Sequence, residues 1–122
     1  MGEIAGKVAS PTARDKITRQ TMMEKSLQLT IQRVTEESQS GKAPGATTSI
    51  FKLIGSTLSK EGSELKSNLR GTSGLGWEGL SFSEQELDAT RGWLRDRAVT
   101  IYGGTNEVQL NIISKRVLGL PD

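Results

Sequence analysis

The chain contains no cysteine and no histidine. Without cysteine there is no disulfide framework, and without either residue a zinc site of the usual thiolate or imidazole type is excluded, so no metal is expected. A chain that needs no disulfides suits the cytoplasm. Aromatic residues make up 4% of the chain and apolar residues 34%. The core must therefore be aliphatic and thin, and self-association is the natural way to bury more surface. Charge of one sign is also lacking: 16 basic and 14 acidic side chains are interspersed, leaving a net charge of +2. No block of like charge offers a grip on nucleic acid or an anionic membrane. No apolar run is long enough for a signal peptide or a bilayer span. A length of 122 residues allows one core and not two.

What the sequence does have is helical periodicity. Residues 1–10 carry no period and read as a flexible leader, and Ser10-Pro11 is a good helix start, with serine as N-cap and proline in the first turn. A helix follows to about Ser40, with Met23, Leu27, Ile31 and Val34 on one face and the Met22-Met23 pair as core filling. Gly41-Lys-Ala-Pro-Gly45 stops it. A second helix runs from about Ala46 to Leu69, carrying Ile50, Ile54, Leu58, Leu65 and Leu69, with Gly55 and Gly62 permitting close packing. A glycine-dense loop from Gly71 to Gly79 comes next. Ser81 or Ser83, each with a glutamate three residues on, caps a third helix. Leu87, Leu94, Ala98 and Ile101 predict one continuous face up to Tyr102. Trp77 and Trp93 read as anchors between helices, and Arg91, Arg95, Asp96 and Arg97 as a solvated face. The expected fold is all-α, an antiparallel four-helix bundle over residues 11–122.

The stretch with chemical content is Arg95 to Asp122. Gly103 and Gly104 break the chain, Thr105 or Asn106 caps a last helix, and Gly119 and Pro121 end it. Paired glycines let a ligand approach the main chain, and unpartnered N–H groups favour polar or anionic ligand atoms. Physics alone leaves a plain corner between two helices as the simpler reading.

Ile101-Tyr-Gly-Gly-Thr-Asn-Glu-Val-Gln followed by Asn111-Ile-Ile-Ser-Lys-Arg-Val-Leu-Gly-Leu-Pro resembles the C-terminal signature of the acyl-CoA dehydrogenases, flavoenzymes that oxidise acyl-CoA thioesters to enoyl-CoA. The resemblance is nearly contiguous over about twenty residues, well beyond a short motif. It implies a helical C-terminal domain, FAD as cofactor in the complete enzyme, acyl-CoA as substrate, and a homo-oligomer or a heteromeric subunit. It also implies that the N-terminal helical and β-domains of the family lie outside this chain.

Carried over residue by residue, the resemblance assigns flavin contact to Thr105, Asn106 and Glu107, and puts Gly104 beside the substrate. Gly71-Thr-Ser-Gly74 matches the turn that approaches the neighbouring subunit's flavin, which brings Thr72 into the flavin-binding set. Asn68 stands where many relatives carry a flavin-contacting glutamine. Gly103 stands where many carry the catalytic glutamate, and a glycine takes no proton. No catalytic residue is therefore assigned in this chain; the resemblance leaves the base to an earlier helix or a partner subunit. A helical oligomerisation module that kept the bundle and lost the chemistry is the alternative.

Overall fold

The computed structural model describes residues 10–41 and 47–121. Most of the leader and of the Gly41–Gly45 loop therefore lies outside the described residues. Four α-helices follow in order: α1 (Pro11–Gln39), α2 (Thr47–Asn68), α3 (Glu84–Arg95) and α4 (Asn106–Ile112), with 3-10 turns at Gly71–Leu75 and Ala98–Thr100. A π turn, Ile113–Val117, extends α4. The described residues contain no strand, and the all-α class expected from the sequence holds.

Local chemistry sets the helix ends. The Ser10 hydroxyl accepts the Ala13 N–H at 3.2 Å, with Pro11 in the first turn. At α3 it is Ser83, not Ser81, that caps: its Oγ accepts the Glu86 N–H at 3.4 Å while Glu86 Oε2 accepts the Ser83 N–H at 2.8 Å. This reciprocal pair satisfies donors the helix leaves open. Ser83→Ala is expected to cost about 1 kcal/mol, read from a denaturant midpoint. The same contact holds the Glu86 carboxyl below its ordinary value, chiefly through the Ser83 backbone N–H and then the Ser83 and Ser73 hydroxyls. A depressed folded-state pKa gives stability that is present above the unfolded value and lost as pH falls through the folded one. The difference in stability between the unsubstituted chain and Glu86→Gln should accordingly persist at neutral pH and fade as pH falls below the ordinary carboxylate range.

α2 is the hub, with α1, α3 and α4 each packed against it. It runs antiparallel to α1. Gly62 sits so close to Gln20 that an added Cβ would lie 2.9 Å from Nε2, and Gly55 faces Leu27. Gln20 is buried and donates to the Leu58 carbonyl at 2.9 Å and to Glu24 Oε1 at 2.7 Å. An amide placed in the α1–α2 seam is thus hydrogen-bonded, as a buried polar group must be.

The core is thin, as composition requires: Val34, Leu58, Leu65 and Leu87 are its buried apolar residues. Several expected core positions are not in it. Met22 is 65% exposed and Met23 50%, and Ile31 is also exposed; the apolar stripe of α1 is wider than its contact with α2, its main partner among the described residues. Trp77, expected between helices, is 55% exposed in the loop before α3. The long face through Leu94, Ala98 and Ile101 is interrupted, because α3 ends at Arg95 and the chain tightens into the 3-10 turn. Leu94, Ala98 and Ile101 are exposed. Nor is the arginine string simply solvated. Arg97 pairs with Glu64 at 2.8 Å and lies 5.0 Å over the Trp93 ring, while Arg91 lies 5.8 Å over Trp77 and donates to its carbonyl at 3.1 Å. Planar guanidinium groups stack on aromatic faces as well as pairing with carboxylates.

Candidate functional site at the glycine corner

The corner is held between α2 and α4. Gly103 and Gly104 both adopt positive φ, +69° and +99°, which side-chain-bearing residues adopt at a cost. The Gly103 carbonyl accepts a hydrogen bond from Gln109 Nε2 at 3.3 Å. Across a trans peptide the C=O and the next N–H point in opposite directions, so the Gly104 N–H faces away from Gln109. At Gly104 a Cβ would lie 2.6 Å from Gln109 Nε2, so that side-chain amide would have to shift to admit a side chain. Gln109 is itself buried.

Thr105 caps α4, its hydroxyl accepting the Val108 N–H at 3.4 Å. Asn106 is tied to α2 by Ser56 Oγ, which donates to Asn106 Oδ1 at 3.3 Å. That contact leaves the Asn106 NH₂ as an available donor beside half-buried Gly104 and Thr105. Glu107 is exposed, and its carboxyl is held below the usual carboxylate range by hydrogen bonding from its own backbone N–H and then from the Thr105 hydroxyl. It is an anion at neutral pH. On the α2 side, Lys52 Nζ donates to the Val99 carbonyl at 2.9 Å, anchoring the 3-10 turn that leads into the corner.

Gly104, Thr105, Asn106 and Glu107 therefore form one contiguous polar surface. Asn68 and Thr72 belong elsewhere. Asn68 ends α2 and Thr72 lies in the following 3-10 turn, both exposed. Ser56, which tethers Asn106, is twelve residues before Asn68 on one helix, about 18 Å along its axis. Asn68 also lines a cavity of about 290 Å³ between α1 and α2, with Lys16, Arg19, Met23 and Leu58 among its walls. Beyond that point Gly71 adopts φ +57°. Gly74 is buried, and its carbonyl accepts from Ser67 Oγ and Thr90 Oγ1, each at 3.0 Å.

Lys52, Ser56 and Gln109 join the corner although the sequence alone assigns them no role there. Lys52 and Ser56 are one helical turn apart on α2, and Gln109 is one turn into α4 from Thr105; that spacing was the available signal. No group of three or more His, Cys, Asp or Glu among the described residues could hold a metal ion. No helix among them is long and apolar enough to cross a membrane.

Residues 5–118 match the family described as acyl-CoA dehydrogenase, C-terminal domain. The chain is 43% identical over 72 residues to acyl-CoA dehydrogenase IpdE1 of Mycolicibacterium smegmatis, covering 59% of this chain and 17% of that protein. It is 52% identical over 48 residues to the IpdE1 of Mycobacterium tuberculosis, covering 38% of this chain and 12% of that protein. With acyl-CoA dehydrogenase FadE34 of Mycobacterium tuberculosis the identity is 30% over 108 residues, covering 88% of this chain and 14% of that protein. The chain thus spans less than a fifth of the length of these relatives. No solved structure matches it. A helical chain whose glycine corner and last helix carry this signature, matched by the family over almost its whole length, belongs to the acyl-CoA dehydrogenases and corresponds to their C-terminal domain.

Proposed function

We propose that this chain is the C-terminal portion of an FAD-dependent acyl-CoA dehydrogenase acting in the cytoplasm, contributing one edge of the flavin site and a subunit interface. The observation that carries the reading is the corner: glycine backbones open to a planar ligand, the Asn106 amide held with its NH₂ available, and a Thr105 cap that fixes α4. These groups suit a flavin, which presents a flat ring with polar edges and a charged pyrophosphate. When bound, flavin supplies the hydride acceptor for α,β-dehydrogenation of an acyl-CoA thioester.

In this reading Thr105, Asn106 and Glu107 hold the cofactor from the corner, and Gly104 lets the acyl-CoA approach the main chain. Asn68, about 18 Å from Ser56 along α2, and Thr72, in the turn beyond it, serve the flavin of a neighbouring subunit. Gly103 has no proton acceptor, so the α-proton base comes from outside this chain.

Exposed apolar side chains support the interface. Leu75 is 77% exposed and Leu80 fully so, and Ile101, Tyr102, Leu118 and Leu120 are exposed around the last helix. A monomer would leave these against water. Sedimentation at about tens of micromolar, where weak homodimers form, is expected to show a dimer or larger; a strictly monomeric species contradicts the interface.

The isolated chain is expected not to retain FAD, because one edge of the site cannot offset the several kcal/mol, roughly, that ordering a ligand costs. Co-purification of stoichiometric yellow flavin would overturn this. A second reading, a helical oligomerisation module without flavin, is favoured by the glycine at position 103 and shares the interface but not the cofactor. Adding FAD to the complete assembly separates them: the enzyme retains it through gel filtration, and the module does not.

A further inference from the structure

The seam between α1 and α2 carries an open groove. Besides the cavity of about 290 Å³ that reaches Asn68, a second of about 280 Å³ lies against Leu53, Ile54 and Thr57. Both are lined by Met23, Leu58 and Glu61, so the two are one channel. It follows α2 from Leu53 to Asn68, about 22 Å of helix. Met23, on its floor, is 50% exposed. α3 and α4 are tied elsewhere on α2, through Ser56, which donates to Asn106 at 3.3 Å, and Ser59, which donates to Asp96 at 3.2 Å. Neither serine lines the groove.

The two walls carry opposite charge. α1 contributes Lys16 and Arg19, and α2 contributes Glu61 and Glu64. Gln20 meets Gly62 across the seam and Leu27 meets Gly55, which sets Arg19 level with Ser63 and within about 3 Å, measured along the axis, of both glutamates. The ties these charges already make are to exposed partners, Arg19 to Asp15 and Glu64 to Arg97, each at 2.8 Å. Exposed pairs of this kind are worth little and exchange at little cost.

A half-turn about an axis running along the groove lays α1 of a second copy over α2 of the first at unchanged height. Each basic wall then faces an acidic one, and the apolar floors of the two copies close on each other. The contact is isologous, the usual symmetry of a homodimer, and surrounds one apolar seam with four helices. A foreign helix bearing charge of one sign would be repelled by one of the walls.

We infer that this groove is a self-complementary docking surface whose occupant is a second copy of this chain, related by a two-fold axis along the groove. Leu75 and Leu80 line no part of it, and it needs no flavin, so it holds or fails independently of the proposed enzyme.

Arg19→Glu and Glu61→Lys, made separately and together in the 122-residue chain, test the charge pattern, with circular dichroism reporting the fold and sedimentation at low salt reporting association. In either single variant both symmetry-related contacts become repulsive, and the dimer dissociation constant is expected to rise about tenfold. Mixing the two single variants restores both attractive contacts in the heterodimer, as the double variant does with itself. Both should associate as the parent does. Met23→Gln, which takes an apolar side chain from the floor of both copies, should weaken association severalfold and keeps the test standing if a charge variant fails to fold. Equal association of all variants overturns the proposal and assigns the contact to another face. So does a mixture that associates no better than its components, or a parent that stays monomeric at about tens of micromolar. A charge dependence seen in the 122-residue chain and absent from the longest polypeptide carrying it assigns the groove to another segment of that polypeptide, which also overturns it.

Discussion

Gly74→Ala is expected to destabilise the chain by about 3 kcal/mol, a large share of what a domain of this size possesses. Three effects combine. A Cβ at Gly74 would run into the backbone carbonyl of Ser67, and backbone yields far less readily than the end of a side chain. Moving the loop away breaks the two hydrogen bonds that the Gly74 carbonyl accepts from Ser67 and Thr90, each worth roughly 1 kcal/mol and more when a buried group is left unpaired. Those bonds also join the end of α2 to α3. Gly62→Ala is the comparison: its Cβ would meet the amide of Gln20, a side-chain end that can shift, so a smaller loss is expected. Denaturant midpoints of the two variants check the order, and a Gly74→Ala chain within 0.5 kcal/mol or so of the parent would show that the loop is free to move.

The second large effect concerns Glu107. In the complete flavoenzyme, Glu107→Gln is expected to lower flavin content while the residual holoenzyme reduces its flavin at the parental rate. Glu107 is the carboxylate nearest the corner downstream, and it invites assignment as the missing base. Its environment argues otherwise. Hydrogen bonds from its own N–H and the Thr105 hydroxyl hold the carboxyl below its usual range, and a stabilised anion is a weak base at neutral pH. The sign is testable separately: whatever Glu107 contributes to folding is present above the ordinary carboxylate pKa and lost as pH falls through its lowered folded value. If flavin content stays normal while flavin reduction falls by about a thousandfold, as loss of a general base can produce, Glu107 is the base and the assignment fails.

What the sequence discloses here is mostly what is decided locally. Ser10-Pro11 starts α1, a serine with a glutamate three residues on (Ser81 or Ser83, in the fold Ser83) starts α3, and the pair Gly103-Gly104 breaks the chain, because each depends on residues within one turn. The continuous face through Leu94, Ala98 and Ile101 misled for the opposite reason. The spacing is helical, yet Asp96 takes the C-cap of α3 and the turn that follows is anchored from α2 by Lys52 and Glu64, contacts that spacing does not encode. Burial of Met22, Met23 and Trp77 depends on what packs against them, and among the described residues α2 is the substantial partner of α1. Within the site, the corner was legible, and its cap was narrowed to Thr105 or Asn106, of which Thr105 is the one used. The side chains that fix it from across the fold, Ser56, Gln109 and Lys52, were not, since each is an unremarkable polar residue until the helices come together.

That this domain forms one edge of a flavin site is tested most directly by the visible absorption spectrum of the longest polypeptide carrying it. The protein, purified with any partner subunit and after incubation with FAD and gel filtration, is expected to retain flavin bands that bleach when an acyl-CoA thioester is added. A folded, correctly assembled protein that passes through the column colourless contradicts the account.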